Sequence, residues 1–177
     1  MGEIDVWWAV AGGWAIDLWL GRQTREHHDV EVAVRRCDQS AALTSLRDDW
    51  EMCCLDPPGS EWRPWHGDLI EAPAFQLQAR SASTEFDIFL EETVGALWQF
   101  RRDRRITLPF SEVSMVSSSG LPVVRPAVQL LYMAKSTDAK NQHDFEVARP
   151  MLDRESAAWL AMVLAIAHPG HRWLALL

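Results

Sequence analysis

Three acidic residues in two separate stretches of the sequence are of the type that binds a divalent cation. Asp29 and Glu31 are two positions apart, and Asp87 lies between the apolar residues Phe86 and Ile88. Carboxylate oxygens suit Mg²⁺, which keeps several waters and takes one or two carboxylates together with substrate phosphates. Two solvated acids on an exposed strand are the commoner explanation of an isolated Asp-x-Glu pattern, so the surrounding sequence must decide.

Apolar alternation predicts a strand through the first pair of acids. Three valines within residues 30–34 alternate with more polar positions, as in a half-buried strand. Asp29 and Glu31 would then project from one face, with Cα atoms about 6.5 Å apart. Like charges at such a distance repel, and a shared cation relieves the repulsion. If Asp87 on a similar strand converged on them, the three acids would complete a two-metal site.

A glycine pair precedes these acids at a predicted strand-to-helix turn. Residues 6–11 are predicted as a buried strand, and residues 14–20 as a short helix that ends at Gly21. Free backbone N–H groups and the positive end of a helix can hold phosphate. Gly12 and Gly13 are therefore candidates for a phosphate-binding turn.

The remaining patterns place a mixed sheet first and helices last. The predicted elements are a helix over 39–49, a loop over 56–67, strands over 75–80 and 85–90 joined by a hairpin connection, and helices over 127–135, 140–149 and 155–167. The expected fold class is α+β, a small mixed sheet flanked by helices, with a core over residues 1–122 and a C-terminal helical extension over 123–177. The stretch 157–167 is apolar nearly all round, so we expect it to be buried or to pair with another subunit, in a monomer or a homodimer.

Composition narrows the classes of partner and compartment. The net charge is −8, whereas proteins that neutralise many phosphates of a nucleic acid normally carry a basic surplus. The three cysteines, Cys37, Cys53 and Cys54, form no C-x-x-C spacing, which argues against a disulfide framework and a zinc site. No signal peptide and no apolar run long enough for a membrane span is visible. We therefore expect a cytoplasmic protein with no membrane and no nucleic-acid partner.

The run Ala11-Gly-Gly-Trp-Ala-Ile-Asp-Leu-Trp-Leu-Gly-Arg-Gln-Thr-Arg-Glu-His-His-Asp-Val-Glu31 resembles the signature of the DNA polymerase β-like nucleotidyltransferase superfamily. The similarity is greatest to the branch of lincosamide and aminoglycoside nucleotidyltransferases. Further segments resemble this branch: 100–104, 125–135, 140–145 and 168–173. The chain departs from the pattern at Trp14, where Ser is frequent, at Glu31, where Asp is frequent, at Met133, where relatives often carry Lys, and at Asn141, near an acidic position of relatives.

The resemblance implies a nucleotidyltransferase fold and a two-metal reaction. Asp29, Glu31 and Asp87 would bind two Mg²⁺ ions that hold a nucleoside triphosphate. Asp87 would also take the proton from an acceptor hydroxyl that attacks the α-phosphorus, and pyrophosphate would leave. The expected product is a nucleotidylated small molecule, with AMP as the expected group and an aminoglycoside or lincosamide antibiotic as the expected acceptor, which would make the chain a resistance enzyme.

Other side chains near these motifs are weaker candidates. Arg25, Lys135 and Lys140 are predicted to contact the triphosphate; the alternatives are an ion pair of Arg25 with Glu26 or Asp17, and solvated lysines. His27 and His28 are predicted to be structural, because Mg²⁺ prefers oxygen ligands. The cluster Arg101, Arg102, Arg104 and Arg105 is expected on an exposed face.

Acidic and indole side chains near Asp87 in the sequence are candidates for binding a cationic, aminated acceptor through charge and cation–π contacts. They are Asp56, Glu61, Trp62, Trp65, Glu85, Glu91 and Glu92. Surface acids and core tryptophans are the alternative. Two other functions remain open: a toxin-like nucleotidyltransferase that modifies RNA or protein, and a non-catalytic nucleotide-binding module.

Overall fold

The computed structural model describes residues 6–46 and 49–177. In this part of the chain ten strands form one mixed sheet with helices packed on it, which confirms the predicted α+β class. The strands are β1 Trp8–Ala11, β2 Glu31–Arg35, β3 Glu51–Leu55, β4 Arg63–Pro64, β5 Gln76–Arg80, β6 Glu85–Val94, β7 Leu97–Gln99, β8 Thr107–Pro109, β9 Ser114–Val116 and β10 Pro122–Val124. The helices are α1 Gly12–Leu20, α2 Gln39–Thr44, α3 Pro126–Met133, α4 Ala139–Ala148 and α5 Arg154–Ala167.

Strand order places β2 in the middle of the sheet. The main order is β4-β3-β5-β6-β2-β1-β10-β9, and β7 and β8 extend the sheet from β6. The pairs β2–β6 and β1–β10 are parallel, whereas β1–β2 and the predicted hairpin β5–β6 are antiparallel. Parallel neighbours cannot be joined by a tight turn, so longer segments connect them and bring distant residues side by side.

The prediction of a half-buried strand through both acids was wrong in two respects. Val32, Ala33 and Val34 are all buried, because β2 has side chains packed on both of its faces. Asp29 precedes β2 in an extended loop, and the side chain of Val30 is 41% exposed. Glu31 is the first residue of the strand, so the two acids do not share a strand face.

Helix α1 begins at Gly12, two residues earlier than predicted, and ends as predicted. Gly21 follows it with a φ of 70°, in the left-handed region where glycine has no steric cost. The N–H of Gly21 bonds back to the carbonyl of Leu18, and that of Arg22 to the carbonyl of Asp17. This ending turns the chain sharply into the loop that leads to Asp29.

The C-terminal helices occur close to the predicted positions. Every residue of α3 is buried, because α3 packs between α1, α4 and α5 over the sheet. Helix α5 is amphipathic: Leu160, Val163 and Leu164 are buried, whereas Met162 is 56% exposed. Helix α5 is therefore not fully buried. The oligomeric state, a monomer or a homodimer, stays a prediction.

Several short elements differ from the sequence prediction. Strands β3 and β7 to β10 were not predicted, since most span three residues and are too short for a visible alternation. The predicted loop at 56–67 includes the two-residue strand β4. Helix α2 ends at Thr44, and residues 47–48 of its predicted continuation lie outside the described residues. The predicted boundary at 122/123 falls inside β10, and the division into 1–122 and 123–177 stays a prediction.

None of the helices in the described part of the chain has the length and apolar composition that crossing a bilayer requires. Cys37, Cys53 and Cys54 are free thiols.

Candidate active site

A single row across the sheet brings the glycine turn and two of the acids together. Ala11 at the end of β1 pairs with Glu31, and Glu31 pairs on its other side with Asp87 of β6. Paired residues on neighbouring strands project from the same face about 4.8 Å apart. Gly12 follows Ala11 directly, so the turn lies next to the Glu31 carboxylate. This row is the framework of the site.

Gly12 is required where the Glu31 carboxylate passes over the backbone. Its φ is +66°, and a Cβ at this position would overlap with the Glu31 carboxyl group. A Cβ at Gly13 would overlap with the side chains of Arg25 and His27. The two glycines therefore let three side chains approach the start of α1, a close approach that other residue types would block.

The N–H groups at the start of α1 are only partly free. The N–H of Gly12 donates to Oε1 of Gln129 on α3 at 2.9 Å, so Gly12 itself is not an open phosphate donor in this structure. Ala11, which precedes the helix, offers no side-chain cap. Phosphate binding at this turn stays a prediction, and it would fall to the other N–H groups of the first turn.

The acids of the site perturb one another. Burial and, after it, the negative charges of Asp29 and Asp87 together raise the pKa of Glu31 to about 7. Burial also raises the pKa of Asp87, against hydrogen bonds that lower it. Both shifts express the cost of placing carboxylates together in a partly desolvated cleft, a cost that a bound cation would remove.

Two glutamines of β5 hold the Asp87 carboxylate. Nε2 of Gln76 donates to one oxygen at 2.9 Å, and Nε2 of Gln78 donates to the other at 3.1 Å. Gln78 is the cross-strand partner of Asp87 in the β5–β6 hairpin. This role of the two glutamines was not predicted, although the alternation of the hairpin already placed both of them on one face.

The loop between α1 and Asp29 is fixed by a buried aspartate. Asp17 accepts hydrogen bonds from the backbone N–H of Thr24 at 3.0 Å and its hydroxyl at 2.6 Å, and its second partner His27 lies at 2.5 Å. Burial acts to raise the pKa of Asp17, but the hydrogen bonds from His27 and Thr24 outweigh it and lower this pKa. Asp17 thus fixes the loop, His27 has the structural role that was predicted for it, and His28 lines the cleft.

Arg25 links this loop to α4. Its Nε and Nη2 each donate to the buried Asp144 at 2.8 Å, and Nη1 donates to the carbonyl of Glu26 at 3.0 Å. The predicted alternative partners, the Asp17 and Glu26 carboxylates, are not its partners. Three of its five N–H donors are used in these bonds, and the Arg25 side chain lines the cleft.

A cleft of about 640 Å³ lies between the sheet and the C-terminal helices. All eight residues predicted for catalysis, metal binding or nucleotide binding line it: Gly12, Gly13, Arg25, Asp29, Glu31, Asp87, Lys135 and Lys140. Met133 and Asn141, where the chain departs from the family pattern, line it as well. Their individual roles stay predictions.

Two arginines of the cleft were not predicted to belong to it. Arg101 and Arg102 line the cleft, Arg101 half-buried and Arg102 exposed, whereas Arg105 pairs with Asp103 at the surface. Nη1 of Arg102 donates to the carbonyl of Tyr132 at 2.7 Å. Burial and the neighbouring Arg101 lower the pKa of Arg102 to about 10, so it remains a cation at neutral pH.

Glu91 is the only predicted acceptor residue that lines the cleft in the described part of the chain. Its carboxylate accepts from the Tyr132 hydroxyl and the Trp98 indole N–H, both at 2.6 Å, and pairs with Arg101 at 3.3 Å. The other six predicted acceptor residues lie elsewhere: Asp56, Glu61, Trp62, Trp65, Glu85 and Glu92. Proximity in the sequence to Asp87 was a poor guide, because Glu92 lies on the other face of β6, Glu85 lies at the exposed start of that strand, and the other four residues lie outside it.

The carboxylates suit a hard cation in type but do not form a closed cage. Within residues 6–46 and 49–177, no three His, Cys, Asp or Glu side chains are gathered closely enough to hold a metal ion by themselves. Mg²⁺ at phosphate-transfer sites is usually held by one or two carboxylates, with water and substrate phosphates as its other ligands. Asp29, Glu31 and Asp87, on one side of an open cleft, match that kind of site.

The N-terminal part of the chain matches a known protein family in sequence. Residues 1–56 match the family model of aminoglycoside-2''-adenylyltransferase, a segment that includes the glycine turn and the first two acids. No curated protein matches the chain significantly in sequence.

Solved structures share the fold over most of the chain. The antibiotic-resistance factor ANT(2'')-Ia in solution superimposes with a TM-score of 0.62 at 14% identity, over 99% of this chain and 88% of that one. ANT(2'')-Ia in complex with adenylyl-2''-tobramycin gives 0.61 at 10% identity, over 93% and 91%. The lincomycin-bound lincosamide antibiotic adenylyltransferase LnuA gives 0.59 at 14% identity, over 85% and 90%.

The predicted nucleotidyltransferase fold is therefore confirmed. In its first 56 residues this chain is similar to aminoglycoside-2''-adenylyltransferase, and in its architecture it is similar to ANT(2'')-Ia and LnuA, as its sequence predicted.

Proposed function

We propose that the protein transfers a nucleoside monophosphate, AMP in the first instance, from a metal-bound nucleoside triphosphate to a hydroxyl group of a small molecule. The expected acceptors are aminoglycoside and lincosamide antibiotics, and modification of these compounds would confer resistance to them. The observation that carries the proposal is the row of Ala11, Glu31 and Asp87 across the sheet. It sets two acids beside the glycine turn, inside the cleft that Asp29 also lines.

The residues of the cleft divide into groups suited to different parts of the donor. Asp29 and Glu31 would hold Mg²⁺, with Asp87 sharing a second ion, and the metal would neutralise charge on the phosphates. Lys135 and Lys140 line the cleft on the side of the C-terminal helices, where their ammonium groups can meet the triphosphate. Catalysis would depend on positioning and charge neutralisation.

Asp87 is the proposed general base. The acceptor O–H would lose its proton to Asp87 while its oxygen forms a bond to the α-phosphorus. The bond between the α-phosphorus and the oxygen bridging to the β-phosphorus breaks, and pyrophosphate leaves. The hydrogen bonds from Gln76 and Gln78 hold the carboxylate in one orientation, and each oxygen keeps lone-pair capacity for the incoming proton.

The alternative acceptor is RNA or protein. It predicts a basic surface at the cleft, and Arg101, Arg102, Lys135 and Lys140 are indeed in its lining. The net charge of −8 and the pairing of Arg101 with Glu91 favour the small molecule. A non-catalytic nucleotide-binding module predicts binding without turnover.

Pyrophosphate release is the assay that tests the proposal. The protein would be incubated with Mg²⁺ and each of the four nucleoside triphosphates, against lincosamides, aminoglycosides and RNA in separate reactions, and products would be identified by mass spectrometry. We expect a mass increase of one nucleoside monophosphate on a small-molecule acceptor, and loss of that product with Asp87→Asn in a folded variant. Product on RNA alone, or wild-type turnover in Asp87→Asn, would contradict the proposal.

A further inference from the structure

The cleft continues past Asp87 onto an aromatic surface. Phe89 follows Asp87 by two positions on β6, so both side chains project from the same face about 7 Å apart. Phe75, which precedes β5, stacks against Phe89 with ring centroids 6.2 Å apart and an interplanar angle of 25°. Both rings line the cleft. A molecule in contact with the Asp87 carboxylate therefore also has access to these rings.

The register of the strands places the Phe89 ring on the side of the acids that faces away from the glycine turn. The row of Ala11, Glu31 and Asp87 has Gln78 of β5 as its next residue. The neighbouring row on the same face is Ala9, Ala33 and Phe89, which lies on the side of the first row away from Gly12. If the donor phosphates lie at the turn and the acids, an acceptor whose hydroxyl meets Asp87 can extend over the Phe75 and Phe89 rings.

The charges at this surface are unsuitable for a polycation. The Arg101 guanidinium lies 4.2 Å from the centroids of both Phe75 and Tyr132, so these rings already have a cation against them. The Glu91 carboxylate is fully engaged by Arg101, Tyr132 and Trp98. Within residues 6–46 and 49–177 no carboxylate forms an ion pair with Arg102, which adds a positive charge to the same wall.

From these contacts we infer that the Phe75–Phe89 surface binds an uncharged, apolar part of the acceptor, and that the enzyme prefers acceptors with at most one positive charge over polycationic ones. The inference rests on the proposed function and narrows its substrate class. Arg101 acts as a specificity-determining residue, because its guanidinium lies beside the Phe75 and Phe89 rings and repels ammonium groups that would otherwise bind to them. The expected acceptor is thus lincosamide-like in its chemistry, in contrast to the cationic acceptor predicted from the sequence.

Direct binding tests the inference independently of turnover. Lincomycin, with one basic amine, and tobramycin, with several ammonium groups, would be titrated calorimetrically into the full-length protein with Mg²⁺ and a non-hydrolysable ATP analogue. Phe75→Leu removes the ring and keeps an apolar side chain of similar bulk, and thermal unfolding would establish that the variant is folded. Trp62→Leu is the matched control, since Trp62 is an aromatic residue outside the cleft lining.

We expect lincomycin to bind more tightly than tobramycin, and Phe75→Leu to weaken lincomycin about tenfold, which corresponds to about 1.4 kcal/mol. The affinity for the ATP analogue should not change, and Trp62→Leu should bind as the wild type does. The inference would be overturned if tobramycin bound more tightly than lincomycin, or if Phe75→Leu lost affinity for the ATP analogue. It would also be overturned if lincomycin did not bind, or bound equally well to the wild type and to Phe75→Leu. The expected binding pattern without any nucleotidylated product would instead refute the proposed transfer and leave the binding surface in place.

Discussion

Replacement of Glu31 by Gln should make the metal-free protein more stable at alkaline pH. In the native state burial and the charges of Asp29 and Asp87 raise the pKa of Glu31 from 4.5 to about 7. The folded protein therefore holds a proton that the unfolded chain releases at lower pH. As the pH rises from about 4.5 to about 7, the wild type loses stability, and above that range the loss is complete. The Glu31→Gln variant has no proton to lose at this position, so its stability does not fall over this pH range for this reason.

The size of the effect follows from the shift. A rise of about 2.5 pK units, at about 1.36 kcal/mol per unit, corresponds to about 3 kcal/mol. The Glu31 side chain borders an open cleft and keeps some contact with water, so we take this value as an upper limit. Amide and carboxyl groups have nearly the same shape, and the packing of Glu31 over Gly12 should be preserved.

Urea denaturation of wild type and Glu31→Gln in the presence of a chelator, from pH 5 to pH 8.5, measures the effect. The difference in unfolding free energy should grow in favour of the variant as the pH rises, and then level off above pH 7. Glu61→Gln, at an exposed position outside the cleft, is the control and should show a flat difference. A difference for Glu31→Gln that is independent of pH would refute the electrostatic reasoning.

Two further substitutions probe the framework of the site. Gly12→Ala should lower the free energy of unfolding by about 2 kcal/mol or more, because the left-handed backbone is strained for alanine and the added Cβ overlaps with Glu31. Gly59 has a φ of +84° but open space around it, so Gly59→Ala is the control and should cost less. Equal losses in the two variants would count against the overlap. Tyr132→Phe should lower the unfolding free energy by about 1–3 kcal/mol, because the buried Glu91 carboxylate loses a hydrogen-bond donor. An unchanged urea midpoint in Tyr132→Phe would show that the hydroxyl is not needed by Glu91.

Local patterns in the sequence predicted the elements that carry the site. The glycine turn, the β5–β6 hairpin and the three C-terminal helices leave clear periodicities or breaks, since each is long enough or is marked by Gly or Pro. The position of β2 within the sheet was not predictable in this way. Strand order decides which faces of a strand are covered by other side chains, and on β2 it leaves Ala33 buried. The strand itself begins only at Glu31, so Asp29 lies outside it.

Contacts between residues far apart in the sequence account for most of what was missed. Arg25 and Asp144 are 119 positions apart, and nothing in the loop that carries Arg25 indicates a partner on α4. Arg101 was interpreted as part of an exposed basic cluster, because its partners Glu91 and Tyr132 are visible only once β6 and α3 are packed together. The bonds from Gln76 and Gln78 to Asp87 are the exception, since the register of one hairpin is enough to predict them.

Metal-dependent nucleotide binding tests the central claim most directly. Calorimetric titration of a non-hydrolysable ATP analogue would be carried out with and without Mg²⁺, on the wild type and on Asp29→Ala. We predict that the wild type binds the analogue only with Mg²⁺, and that Asp29→Ala abolishes this dependence together with the binding while remaining folded. Equal affinity in the absence of Mg²⁺, or unchanged Mg²⁺-dependent affinity in Asp29→Ala, would contradict a nucleotidyltransferase site built on these carboxylates.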